Sequence, residues 1–321
     1  MKLGAFDPLF GNLSLEEMLD KFAGWGLQTV EVATGGYVGN SHCDPAKMLE
    51  DEKARAAFKE AFDATGLSIS ALSCHGNPLH PDEAVAKTHH DAWKNTVKLA
   101  EHLGVDTVVT FSGCPGGGPD DTVPNWHICA WPTEHAVSLE WQWRERVIPY
   151  WQREAEFAES HGVKVALEMH PGFVVYNPEH ILHLRGETRN NLGCNFDPSH
   201  LFWQGVDIVR AIRYLGDTIY HFHAKDTHLD PVNLPLKGVL DTVPYDQVEK
   251  RSWIFRSVGY GHGALEWKQI ISALRTVGYD GAVSIEHEDA LASPDEGLRK
   301  AVATLQEALL FEPTGKPWWT A

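Results

Sequence analysis

Short runs of β-branched and apolar residues alternate along this chain with longer segments of helical period, and the pair recurs eight times. This repetition restricts the fold more than any single motif, because a strand followed by a helix is a βα unit, and repeated units assemble around a parallel sheet. The predicted strands are Leu3 to Phe6, Thr29 to Ala33, Ser68 to Ser73, Thr107 to Phe111, Lys164 to Met169, Gly193 to Asp197, Ile219 to Ala224 and Ala282 to Glu286. Runs such as Thr107-Val108-Val109-Thr110-Phe111 show little polar alternation, as parallel strands covered on both faces require. The first helix carries its own start signal: Ser14 stands three residues before Glu17, the spacing of a capping box. Leu15, Met18, Leu19 and Phe22 then form an apolar stripe, and Gly26 closes the helix. A length of 321 residues suits one (β/α)8 barrel of the α/β class. The expected organisation is a barrel over residues 1–310 and an extension, 311–321, whose Trp318-Trp319 pair suggests a subunit contact.

Two connections are long for such a barrel: Ser112 to Ser138 after the fourth strand and Thr227 to Gly263 after the seventh. Loops that follow strands lie on the C-terminal face, where barrel active sites are built, so both are expected to be lids or binding elements. The first holds Trp126, His127 and Trp131, which suit either a sugar-stacking wall or an oligomer contact. It also holds Gly116-Gly117-Gly118, which lacks the Lys-Ser/Thr of a phosphate loop and reads as flexible chain.

Composition narrows the function. Acidic residues outnumber basic ones by 44 to 27, and the resulting net charge of -17 repels phosphate backbones, which argues against nucleic-acid partners. No basic and apolar leader opens the chain and no apolar stretch could span a bilayer, so a cytoplasmic protein without membrane association is expected. The five cysteines are dispersed, with no CxxC pair, and are expected to be reduced thiols.

The chemistry is concentrated where four consecutive predicted strands end. The fifth runs into Glu168, the sixth into Asp197, the seventh into His223 and the eighth into Glu286. In a barrel these ends meet around one mouth, so three carboxylates and an imidazole would share one small volume. Such charge demands raised pKa values or a bound cation, and a divalent ion is the simpler answer. Oxygen-rich ligation with one imidazole suits Mn2+ first, with Mg2+, Co2+, Fe2+ or Zn2+ as alternatives. His75, after the third strand, stands where it would meet a substrate hydroxyl or act as a second base. Glu31, on the second strand, points either into the barrel or into a helix interface.

The ordered motifs LEMHPG, NFDPSH, HFHAKD and SIEHED, with GYGHG before the last helix-strand unit, resemble the xylose isomerase-like TIM barrel superfamily. That superfamily includes sugar-phosphate isomerases and epimerases, inosose dehydratases and the barrel subunits of C-glycoside deglycosylases. The resemblance implies one divalent metal on Glu168, Asp197, His223 and Glu286. It also implies that Glu168 and Glu286 double as a proton-transfer pair and that His200 is a substrate-oxygen ligand. The expected reaction is isomerisation or epimerisation of a sugar by proton transfer beside a carbonyl, through an enediolate. Two departures lean toward a lyase acting on a keto-inositol or a 3-oxo-glycoside. Phe173, Val174 and Val175 stand where ketose epimerases carry a further Glu, and Thr227, His228 and Leu229 where they carry an Arg. His170, Lys225 and His228 supply donors and bases at the rim instead, with His170 a further catalytic candidate. The substrate set is therefore a small sugar or keto-glycoside, handled by a homo-oligomer with or without a second small subunit.

Overall fold

In the computed structural model, which describes residues 1–320, eight parallel strands close into a barrel. Around the barrel they run β1 (Lys2–Phe6), β2 (Thr29–Ala33), β3 (Ser68–Ser73), β4 (Thr107–Phe111), β5 (Lys164–Glu168), β6 (Leu192–Phe196), β7 (Ile219–Ala224) and β10 (Ala282–Ile285), and β10 returns to β1. Helices cover the outside. All eight predicted strands are present, with two boundaries that matter for chemistry: Asp197 and Glu286 each lie one residue beyond the end of their strand.

Local signals explain the helices. Ser14 Oγ accepts the Glu17 N–H at 3.2 Å while Glu17 Oε2 accepts the Ser14 N–H at 2.9 Å, so both halves of the capping box form. Met18, Leu19 and Phe22 turn inward from the helix Leu15–Gly24, one face of a 3.6-residue period. At Gly104, φ of +70° lets the chain leave the helix Glu83–Leu103 through the left-handed region. The apolar core lies between the strands and this helical coat, where Trp93, Trp151 and Trp267 are fully buried.

The connection after β7 is more structured than predicted. β8 (Asp226–Leu229) pairs antiparallel with β9 (Trp253–Arg256), a two-stranded sheet outside the barrel. The connection after β4 likewise ends in a helix beginning at Thr133. All five cysteines are free thiols, four of them buried. No helix of the described residues is long and apolar enough to cross a membrane. Phe311 to Thr320 are exposed throughout, and Ala321, the last residue of the predicted extension, lies outside the described residues.

Candidate metal centre

The inner face of the barrel is polar beneath its mouth. Parallel register sets Asn195 beside His221 and His223 beside Ser284, and Glu31 projects inward from β2. Glu31 Oε2 accepts from His223 Nε2 at 2.7 Å and from Ser284 Oγ at 2.8 Å, while Ser73 Oγ donates to the other oxygen. The barrel interior, not a helix interface, is thus where Glu31 points. Asn195 Nδ2 donates to Glu168 Oε2 at 3.0 Å, and His75 Nε2 lies at the same distance from that oxygen.

Above this layer the four strand-end residues converge. Glu168, Asp197, His223 and Glu286 place one ligand atom each within 4.8 Å of all the others. Glu168, Asp197 and His223 are buried, and Glu286 is partly so. Asp197 Oδ2 and His223 Nδ1 are buried and make no well-aligned hydrogen bond; their near neighbours are charged groups, Lys225 Nζ at 3.1 Å from the oxygen and Glu286 Oε2 at 3.1 Å from the nitrogen. Because a carboxylate only accepts, His223 Nε2 must carry a proton in its bond to Glu31, so Nδ1 is the nitrogen turned to the other carboxylates, 3.1 Å from Glu286 Oε2 and 3.3 Å from Glu168 Oε2, and it would give its lone pair to a bound ion. Three oxygens and one neutral imidazole nitrogen are the donor set of a hard or borderline divalent ion, so the residues fit the metal expected there.

The electrostatics agree. Burial pushes Asp197 up to about 7, helped by Glu168 and Glu286 and opposed by Lys225. Burial also opposes ionisation of Glu168, but His223, His200 and His75 outweigh it and hold that carboxyl well below its usual range. Glu286 is held low by Lys225 and His223 against the same burial. Three carboxyls in one small volume cannot all ionise without added positive charge. In the protein alone that charge comes from the His223 ring, raised by Glu31, Glu286 and Glu168 against burial, and from Lys225. Lys225 Nζ lies 2.7 Å from Glu286, 2.9 Å from Glu288 and 3.1 Å from Asp197.

Other predicted residues separate into two groups. His75, His170, His200 and Lys225 ring the cluster. His200 Nε2 is 3.2 Å from Glu168 Oε1 and 3.3 Å from Asp197 Oδ2, and its ring lies 4.1 Å from that of His170. His170 Nδ1 is engaged by Pro171 O at 2.6 Å. Trp126 is not in contact with the four clustered groups; it packs against the aromatic cluster formed by Trp203, Trp253 and Phe255, with its ring 5.3 Å from that of Tyr176. Phe255 in turn touches His200 and sits under the Lys225 ammonium at 4.7 Å. Trp131 and His228 are not brought to the cluster. Trp131 is 81 % exposed on the outer surface, and His228 stands half-buried on β8 without a hydrogen bond to the site residues. An open cavity of about 830 Å³ lies beyond the long β4 loop, lined by His127, Cys129, Trp143 and Tyr176, and none of the four clustered groups faces it.

One residue that the motif spacing did not single out, Asp226, anchors the turn at residues 259–262. Asp226 Oδ2 accepts the N–H groups of Gly259, Gly261 and His262 at 3.0–3.1 Å, and Oδ1 meets His262 Nδ1 at 2.7 Å. Gly261 has to lack a side chain here, since a Cβ would fall 2.2 Å from Thr227 O. Burial alone would lower the His262 pKa, yet hydrogen bonding and charge from Asp226 raise it above the usual imidazole value. This pair therefore stabilises the fold fully below the unfolded-state value and loses that contribution as pH rises through the raised folded-state value. In denaturant melts the stability gap between wild type and His262→Gln is expected to be wider at pH 5.5 than at pH 9, and an equal gap at both would refute the pairing.

The model of the family described as xylose isomerase-like TIM barrel matches residues 19–308. This chain belongs to that family. The chain is 38 % identical over 312 residues to the uncharacterized protein YfiH of Bacillus subtilis strain 168, covering 96 % of this chain and 99 % of that protein. It is 26 % identical over 285 residues to the inosose dehydratase of Geobacillus thermodenitrificans, covering 86 % and 87 %. Among solved structures it shares its fold with the IOLI protein, determined with a bound zinc atom, at a TM-score of 0.64 and 20 % identity over 96 % of each chain. Family membership and the named relative support an enzyme of the sugar isomerase, epimerase or lyase type.

Proposed function

We propose that this protein is a divalent-metal-dependent enzyme that moves a proton at the carbon beside a carbonyl of a small sugar or keto-polyol, through an enediolate. The observation that carries this reading is the convergence of Glu168, Asp197, His223 and Glu286, one ligand atom from each lying within 4.8 Å of all the others. The four side chains would hold the ion, and when bound it polarises a substrate carbonyl or hydroxyl and acidifies the adjacent C–H. Glu168 and Glu286, both held ionised, are the carboxylates available to take and return the proton. His75, His170 and His200 line the same volume as donors to substrate oxygens, and Phe255, packed on His200, limits water. Exposure of Trp318 and Trp319, at 91 % and 70 %, supports a homo-oligomer in which the extension meets a neighbouring subunit.

Elimination is the second reading, supported by the inosose dehydratase relative and by Lys225 beside Glu286 and His200. Here the same proton abstraction is followed by departure of a β-hydroxyl, protonated to leave as water. Incubation in D2O with ketoses, keto-inositols and 3-oxo-glycosides separates the two. Exchange of C–H for deuterium with a rearranged sugar indicates isomerisation, and exchange with released water or aglycone indicates the lyase. No exchange on any of them by metal-loaded protein would remove both. Chelation with EDTA is expected to lower turnover at least roughly 10²-fold, as loss of several kcal/mol of charge stabilisation implies, with recovery on adding a divalent ion.

A further inference from the structure

We infer that Glu31 is a positioning residue, which fixes the His223 tautomer and presents Nδ1 to the metal; the inference rests on the metal-centred reading above. Glu31 is on β2 and His223 on β7, strands separated around the barrel by β1 and β10, so the contact crosses the interior. The strand register shifts between Val30 and Glu31, and such an irregularity re-aims the side chain that follows it. The result is a fully buried carboxylate whose oxygens meet Ser73 on β3, Ser284 on β10 and His223 on β7.

A neutral acceptor would be enough to hold an imidazole in place. A carboxylate does more, since it pulls on the Nε2 proton and makes Nδ1 a stronger donor to a cation, the arrangement by which metal-bound histidines are commonly tuned. Glu31 has a second imidazole neighbour, His221, at 3.9 Å. That ring is already committed, Nδ1 to Asn195 Oδ1 at 3.0 Å and Nε2 to Ser70 Oγ at 3.2 Å. A separate ion held by Glu31, His221 and His223 would have to break a His221 bond to Asn195 or Ser70 and displace the proton shared by His223 and Glu31. His223 is the one ring through which Glu31 can act on the mouth.

The test measures binding of Co2+ and Zn2+ to wild type, Glu31→Gln and Glu31→Ala by isothermal titration calorimetry, with circular dichroism of the metal-free proteins to verify folding. Affinity is expected to fall about 10-fold in Glu31→Gln, which keeps an acceptor, and up to about 100-fold in Glu31→Ala. The Co2+ absorption bands should shift in both. In Zn2+-loaded wild type, ¹⁵N NMR of the histidines should show His223 protonated at Nε2, a readout that needs no variant. Folded variants with wild-type affinity, or a His223 protonated at Nδ1, would overturn the inference while leaving the metal centre standing. If wild type itself binds neither ion, the functional reading falls and this inference with it.

Discussion

Glu168→Gln and Glu286→Gln are each expected to lower kcat by roughly 10²–10⁴-fold, the range over which a positioned acid or base contributes. Glutamine preserves shape and one carbonyl oxygen, so packing against Asn195, His75 and Lys225 changes little. What is lost is ionisation. Both carboxyls are held charged in the folded protein, Glu168 by its histidines and Glu286 chiefly by Lys225. An amide can neither take a proton from carbon nor contribute negative charge to a cation site, so each change removes two functions at once. Steady-state kinetics on the substrate identified by deuterium exchange, with circular dichroism to verify folding, makes the comparison. Wild-type turnover in both variants would end the two-carboxylate assignment.

Asp226→Ala should be the most damaging change outside the cluster, lowering stability by roughly 3–5 kcal/mol. Its carboxylate gathers three main-chain N–H groups from residues 259 to 262, the N–H of Thr227 and the ring of His262. Alanine removes the acceptor from a buried Thr227 N–H and from the part-buried N–H groups of Gly259, Gly261 and His262, and a donor left unsatisfied out of water costs about 1–3 kcal/mol. The consequence reaches the site, because β8 begins at Asp226 and carries the sheet whose Phe255 packs on His200 and Lys225. Thermal unfolding should show a midpoint lower by roughly 5–15 °C. Asp226→Asn, which retains one acceptor, should lose less, and a midpoint unchanged in the alanine variant would show that the anchor is unimportant.

Both sites bear on how much could be read before the structure. The strands at 29–33, 107–111 and 219–224 were legible residue for residue, because hydrophobic period and chain punctuation are local properties. The clustering of Glu168, Asp197, His223 and Glu286 was legible too, since parallel order carries successive strand ends to one mouth. His221 and Asn195 were within reach: polar residues at alternate positions in otherwise apolar strands mark the face turned into the barrel.

Other features depended on contacts between distant parts of the chain. The pairing of Asp226–Leu229 with Trp253–Arg256 joins segments far apart in sequence, and neither segment signals its partner. Lys225 looked like a rim donor and instead lies buried among carboxylates, while Trp131 and His228, equally plausible as contacts, remain outside the cluster. Glu31 could have faced either way, because alternation predicts direction only where register is regular, and the register shifts beside it. By itself, the sequence determined the barrel and the acidic mouth, since periodicity and strand order need only neighbouring residues. Only the tertiary structure decided which side chains support that mouth, because burial and hydrogen bonding across the barrel are set by residues far away in the chain.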